Sequence, residues 1–179
     1  MLKNTDTRYG LVSRANHWVS AILFIGLVAV GIYMVDLPKS PDKFELYDLH
    51  KSLGIGLFSL MMLRLIWLKV SPNPEQISKN KFEHILGHAV KGIFYLAMIM
   101  MPISGWIMSN SGGHEVAFFE FFVLPQIVGE NETIHAISKA IHSTAGPLMI
   151  IFIVLHIAGA MKHHFVYKDD TLKRMLGKK

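Results

Sequence analysis

Four long apolar runs constrain this chain more than any other feature. They cover roughly residues 17–35, 50–68, 88–109 and 141–161. No charge falls between Trp18 and Val35, the second run is interrupted by Arg64, and the third has Lys91 near its start. Each has about the 17–25 residues that a bilayer's hydrocarbon core requires. Backbone N–H and C=O groups find no water there, so only helices or closed barrels can span it. Runs this continuous predict helices. The expected fold is all-α, an integral membrane four-helix bundle forming one domain over residues 1–179.

Charge patterning agrees. Only 17% of residues are charged, against about 25% in soluble domains. The formal net charge of +5 does not point to nucleic acid, because the basic residues sit at the ends of apolar runs and form no compact basic domain. Lys3, Arg8, Arg14, Lys69, Lys79, Lys81, Lys162, Lys168, Lys173, Arg174, Lys178 and Lys179 fall on one side. Lys39, Lys43 and Lys139 fall on the other, among Asp36, Asp42, Glu45, Asp48, Glu115, Glu120, Glu130 and Glu132. The bias places both termini in the cytoplasm. The first apolar run is as long as a full span and no A-x-A-like site follows it, so it is expected to stay as an anchor rather than be cleaved. The FFEFFVLP stretch at residues 118–125 is apolar but too short to span, and is expected to lie in the outer interface. No internal repeat or low-complexity segment is evident.

The chain has no cysteine. That excludes disulfides, thiolate-held iron–sulfur clusters and covalent haem attached through C-x-x-C-H. Its eleven methionines read as bundle filler. Its ten histidines are the candidates for chemistry, since an ionisable residue within a span is costly and needs a partner.

His142 and His156 lie fourteen residues apart on the fourth span. Fourteen steps return to within about 40° of the starting direction and rise about 21 Å. One helix thus offers two imidazoles on one face, one per leaflet. One metal ion cannot bridge that gap, whereas two stacked haems could each take one. His17 opens the first span at the depth of His156, and His50 opens the second at the depth of His142. Depth alone pairs His17 with His156 and His50 with His142. Arg64 follows His50 by fourteen residues, at the inner tier's depth, where a haem propionate would satisfy it; snorkelling to the interface is the alternative. Gly31 follows His17 by fourteen and would let a porphyrin approach, or serve ordinary helix packing, as would Gly54 and Gly56.

His163 follows His156 by seven residues, and His88 begins the third span at similar depth, with Lys91, Lys162 and His164 near in sequence. Titratable groups at this level suit a quinone, whose reduction consumes protons; a hydrated basic rim is the alternative. On the outer side Lys51 and Lys139 could steer a small anion or be plain interfacial lysines. His84, His114 and His135 fall in loops and receive no role.

These residues resemble the bacterial di-haem cytochrome b-561 family of inner-membrane proteins. The resemblance rests on NHW at 16–18, LHKSLGI at 49–55 with Arg64 following, LGH at 86–88, PISGWIM at 102–108, the His142–His156 spacing, and HHFVYKDDTLKRML at 163–176. It implies two b-type haems, with His17 and His156 matching the inner pair and His50 and His142 the outer. It also implies a multi-pass inner-membrane location, superoxide as electron donor and ubiquinone as acceptor, with His88 and His163 matching the quinone end. Two other readings stand beside it. One is a cytochrome b conduit subunit of a dehydrogenase or hydrogenase, which would need an exposed docking surface. The other is a haem-free histidine-lined metal or proton transporter, for which paired broken helices would be expected.

Overall fold

The structure is a computed structural model that describes residues 1–75, 77 and 80–178. Lys79 and Lys179, two of the lysines in the charge bias, lie outside the described residues. Four long helices dominate: α1 (Leu11–Val35), α2 (Pro41–Val70), α3 (Lys81–Ser111) and α4 (Glu132–Lys162). All four are long and apolar enough to cross a membrane. Each contains its apolar run and extends past it, because polar caps carry the helix on. Ser40 accepts from Lys43 N–H ahead of Pro41, Asn80 from Phe82 N–H and Asn131 from Ile134 N–H.

Each helix packs on its neighbour in sequence, and α4 closes the ring against α1. The mid-depth core is Phe24 and Leu27 from α1, Leu57 from α2 and Met149 from α4, with Ile93, Phe94, Ala97 and Met98 of α3 packed against them. Most other large apolar side chains, such as Ile22, Leu63, Leu96 and Val154, face outward. An outward apolar surface is what lipid requires and water would not tolerate.

The two ends of the bundle differ. At one, the N-terminal tail, the α2–α3 connection and the C-terminal tail meet. Asn4 Nδ2 donates to the Pro72 carbonyl at 2.8 Å, Glu75 N–H to Asp6 at 2.8 Å, and Arg174 to the Glu75 carbonyl at 2.9 Å. Here α4 passes into a π-helical turn at His163–Tyr167, then a short helix α5 (Thr171–Leu176). At the other end, the apolar stretch after α3 is an antiparallel hairpin of β1 (Ala117–Phe118) and β2 (Phe122–Val123). Ser52 of α2 pins it, accepting from Phe119 N–H at 2.8 Å and donating to the Ala117 carbonyl at 3.1 Å. Phe121 at the turn is 81% exposed, so the hairpin offers its aromatic tip outward.

Candidate functional site

The four span histidines meet as two pairs. His17 of α1 faces His156 of α4 with ring centres 6.3 Å apart, and His50 of α2 faces His142 of α4 at 6.2 Å. These are the pairings that depth predicts. The fourteen-residue spacing also explains what separates them. Halfway between His17 and Gly31 stands Phe24, halfway between His50 and Arg64 stands Leu57, and halfway between His142 and His156 stands Met149. All three are buried. Seven residues are two turns less about 20°, so each midpoint shares its helix's inward face. An apolar septum thus divides the His17–His156 tier, nearer the tails, from the His50–His142 tier, nearer the hairpin; they are called inner and outer after the charge bias.

In the outer tier, His142 Nδ1 donates to the Met101 carbonyl at 3.0 Å and lies 3.1 Å from Ser104 Oγ. With Nδ1 protonated on a carbonyl, Nε2 keeps its lone pair, the state a metal-ligating histidine needs. His50 Nδ1 is buried with no hydrogen-bond partner among the described residues. Both rings rest on glycine: a Cβ at Gly31 would meet His50 Cε1 at 3.3 Å, and one at Gly105 would meet His142 Cε1 at 3.1 Å. In the inner tier, Trp18 packs edge-on to His17 at 5.3 Å, and Phe94 to His156 at 5.3 Å. Arg64 turns into the bundle rather than toward the interface. Its Nη1 lies 3.5 Å from Asn16 Oδ1, next to His17 in the chain, and its guanidinium sits 5.7 Å from the centre of the Tyr95 ring.

The donor set fits haem. An imidazole nitrogen bonds a metal at about 2 Å and its ring centre lies about 1 Å behind, so two rings on opposite sides of one ion stand roughly 6 Å apart. Both pairs have that separation. Among the described residues no group of three or more His, Cys, Asp or Glu could hold a bare metal ion. A facing pair of neutral imidazoles is a donor set that haem iron takes.

The remaining candidates have other immediate partners. His88 sits against His84 one turn earlier, ring centres 4.5 Å apart, with Nδ1 2.9 Å from the His84 carbonyl oxygen. His163 Nδ1 lies 2.6 Å from Asp169 Oδ2 in the C-terminal tail. Burial by itself would raise the Asp169 carboxyl, but hydrogen bonds from His163 and Thr171 outweigh it and hold the group below its usual range. Lys51 pairs with Asp48 at 2.6 Å and donates to the Glu115 carbonyl at 3.1 Å, so much of its charge is met locally. Lys139 stands exposed on the outer end of α4. His114 and His135 line an outer cleft of about 480 Å³ with Ser111, Gly112 and Glu130. Sequence reasoning does not single out Gly105, Ser104, Phe94 or Asp169. The PISGWIM and HHFVYKDDTLKRML stretches contain three of the four.

Known proteins share this chain's sequence over nearly its whole length. The family model described as prokaryotic cytochrome b561 matches residues 8–178. Cytochrome b561 homolog 2 of Escherichia coli (strain K12) is 35% identical over 98% of this chain and 94% of its own length. Cytochrome b561 homolog 1 of the same organism is 28% identical over 89% of this chain and 92% of its own. A Yersinia pestis protein named "Probable superoxide oxidase CybB" is 29% identical over 96% and 97%.

Proposed function

The chain belongs to the prokaryotic cytochrome b561 family of multi-pass bacterial inner-membrane electron carriers, and on that premise we propose that it oxidises superoxide at the outer face and reduces ubiquinone at the inner. The observation that carries this reading is the two-tier arrangement of imidazole pairs, at 6.3 and 6.2 Å, within one membrane-spanning bundle. Superoxide as donor is supported by the name of the Yersinia pestis relative. In this reading both termini are cytoplasmic. The inner tier then lies beside the joined tails, and the outer tier beside the hairpin.

His17 and His156 would hold the inner haem and His50 and His142 the outer. A bound haem supplies a reversible one-electron change at its iron, at a potential set by its ligands and surroundings. The protein's part is positioning and electrostatics. The Met101 carbonyl and Ser104 orient His142. Gly31 and Gly105 leave room for the outer rings, and Arg64 would offer its guanidinium to a propionate of the inner haem. Phe24, Leu57 and Met149 keep the space between the tiers dry. Lys139, exposed on the outer end of α4, favours approach of a small anion from outside, and Lys51, already met by Asp48, adds less. Two superoxide anions each lose one electron to become dioxygen. One ubiquinone takes both electrons and two cytoplasmic protons to become ubiquinol, near His88 and His163. With a pair of imidazoles to hold each haem, neither substrate would need to bind iron.

Rapid mixing of the oxidised, haem-loaded protein with superoxide tests the reading. Superoxide should reduce the haem absorbance bands, and adding a soluble ubiquinone analogue should restore the oxidised spectrum. Bands that stay oxidised with superoxide, while a redox protein partner reduces them, would replace the superoxide reading with an electron-conduit subunit.

A further inference from the structure

The inner end of the bundle holds a shielded polar pair that the electron path does not use. Beyond Lys162 the α4 helix widens into the π-helical turn at His163–Tyr167, and Lys168 then takes left-handed backbone at φ 53°. Turns of this kind recur at functional sites. The reversal lays Asp169 back onto His163. Asp169 N–H donates to the His163 carbonyl at 3.1 Å, and the His163 Nδ1 to Asp169 Oδ2 distance is 2.6 Å. Asp169 Oδ1 accepts from Thr171 N–H at 2.9 Å, which fixes the plane of the carboxylate.

Several of the surrounding charges have other partners. Lys162 and the Tyr167 hydroxyl both reach Glu83 of α3, at 3.0 and 2.5 Å, and Asp170 pairs with Lys173 at 2.9 Å. The Tyr167 ring stands edge-on to His163 at 5.3 Å. Asp169 is therefore the carboxylate that addresses the imidazole, with Lys168 beside it in the chain. The side chains of His163 and Asp169 are 19% and 17% exposed, shielded enough to be held and open enough to exchange protons with water. An ionised carboxylate can only accept, so Nδ1 carries hydrogen and donates, and Nε2 is left as the nitrogen that takes up or releases a proton. His163 lies on nearly the same face as His156 and about 10 Å nearer the tails.

We propose that Asp169 is a positioning residue for proton delivery: it holds His163 so that Nε2 passes a proton from cytoplasmic water to a quinone oxygen. This rests on the quinone reading given above. As ubiquinone gains its two electrons, Nε2–H yields a proton to the oxygen while Nδ1–H stays on the carboxylate. Water then reprotonates Nε2, and the same route serves the second proton.

The full-length, haem-loaded protein in nanodiscs, pre-reduced with a stoichiometric reductant, is mixed with a soluble ubiquinone analogue. Asp169→Asn should slow reoxidation by roughly tenfold or more, the scale of a lost acid–base contribution. Its half-saturating analogue concentration should stay as in wild type, and deuterated solvent should slow the variant more than the wild type. Asp169→Glu should restore most of the rate. His163→Gln should match Asp169→Asn, with the double variant no slower than either. Independently of electron transfer, nitrogen NMR of labelled histidine should show His163 protonated at Nδ1 in wild type and redistributed in Asp169→Asn. Wild-type reoxidation rates in Asp169→Asn, or an unchanged His163 signal, would overturn the proposal and leave quinone reduction standing. Failure of the analogue to reoxidise the wild type would instead remove the quinone reading, and with it the step that His163 serves. Should Asp169→Asn not retain haem, Asp169→Glu against His163→Gln makes the same comparison, and equal rates would overturn it.

Discussion

A small side chain at one glycine is enough to probe the outer tier. A Cβ at Gly105 would stand 3.1 Å from His142 Cε1 and 3.3 Å from Nδ1, while the Met101 carbonyl and Ser104 hold that ring in place. Gly105→Val should therefore displace His142 and lose the outer haem, halving haem per chain and sparing the inner. Gly26→Ala, on an exposed part of α1 with nothing within 4 Å of the new atom, should change neither, which a pyridine haemochrome assay would check. The four ligand candidates are legible in the sequence because an imidazole inside an apolar run demands an explanation. Gly105 is not, because glycine is common on membrane helices for packing alone. Asp169 is hidden for the opposite reason: in a charged tail a carboxylate reads as solvated, and only the left-handed turn at Lys168 brings it onto His163. Its titration makes a further prediction. A carboxyl held below its usual range contributes in full above that range, and the contribution fades as pH falls through the depressed value. Docking of the tail, read as resistance to an acid-tolerant protease, should thus hold across neutral and mildly acidic pH and weaken only in stronger acid.

Among the elements, each apolar run falls within one long helix and understates its length. The runs at 17–35 and 141–161 sit within Leu11–Val35 and Glu132–Lys162. A hydropathy pattern sees the hydrocarbon core, whereas a helix continues until its end groups are satisfied. Asn131 satisfies one, taking the Ile134 N–H at 2.9 Å, so Asn131→Ala should cost about 1 kcal/mol, measured by unfolding in mixed detergent. The tail helix α5 is not legible, since six residues carry no period of their own and its place depends on distant partners. One is Trp18, whose Nε1–H donates to the Met175 carbonyl at 3.1 Å while its ring packs on His17. Trp18→Phe should keep the ring contact and release the tail, so trypsin should cut at Lys173 and Arg174 faster than in wild type, with haem content unchanged.

At the scale of the whole molecule, a single arithmetic organises the bundle. Steps of seven along α1, α2 and α4 read His17–Phe24–Gly31, His50–Leu57–Arg64 and His142–Met149–His156. Each series runs tier, septum, tier down one inward face. The fourteen-residue spacing of polar residues stands out in the sequence itself. The septum does not, because Phe, Leu and Met in an apolar run look like any neighbour until burial picks them out. The tails and the α2–α3 connection gather at one end of the bundle, and with that end read as cytoplasmic a reporter fused to either terminus should be active in the cytoplasm. The central claim is that two imidazole pairs each grip one porphyrin. The most direct test is the haem-to-protein ratio, with the low-spin spectrum, of purified wild type and His142→Ala produced with ample haem. The account predicts two bis-histidine b-type haems per wild-type chain and one, at the inner tier, in the variant. A colourless wild type, a single haem per wild-type chain, or two haems retained by His142→Ala would contradict it.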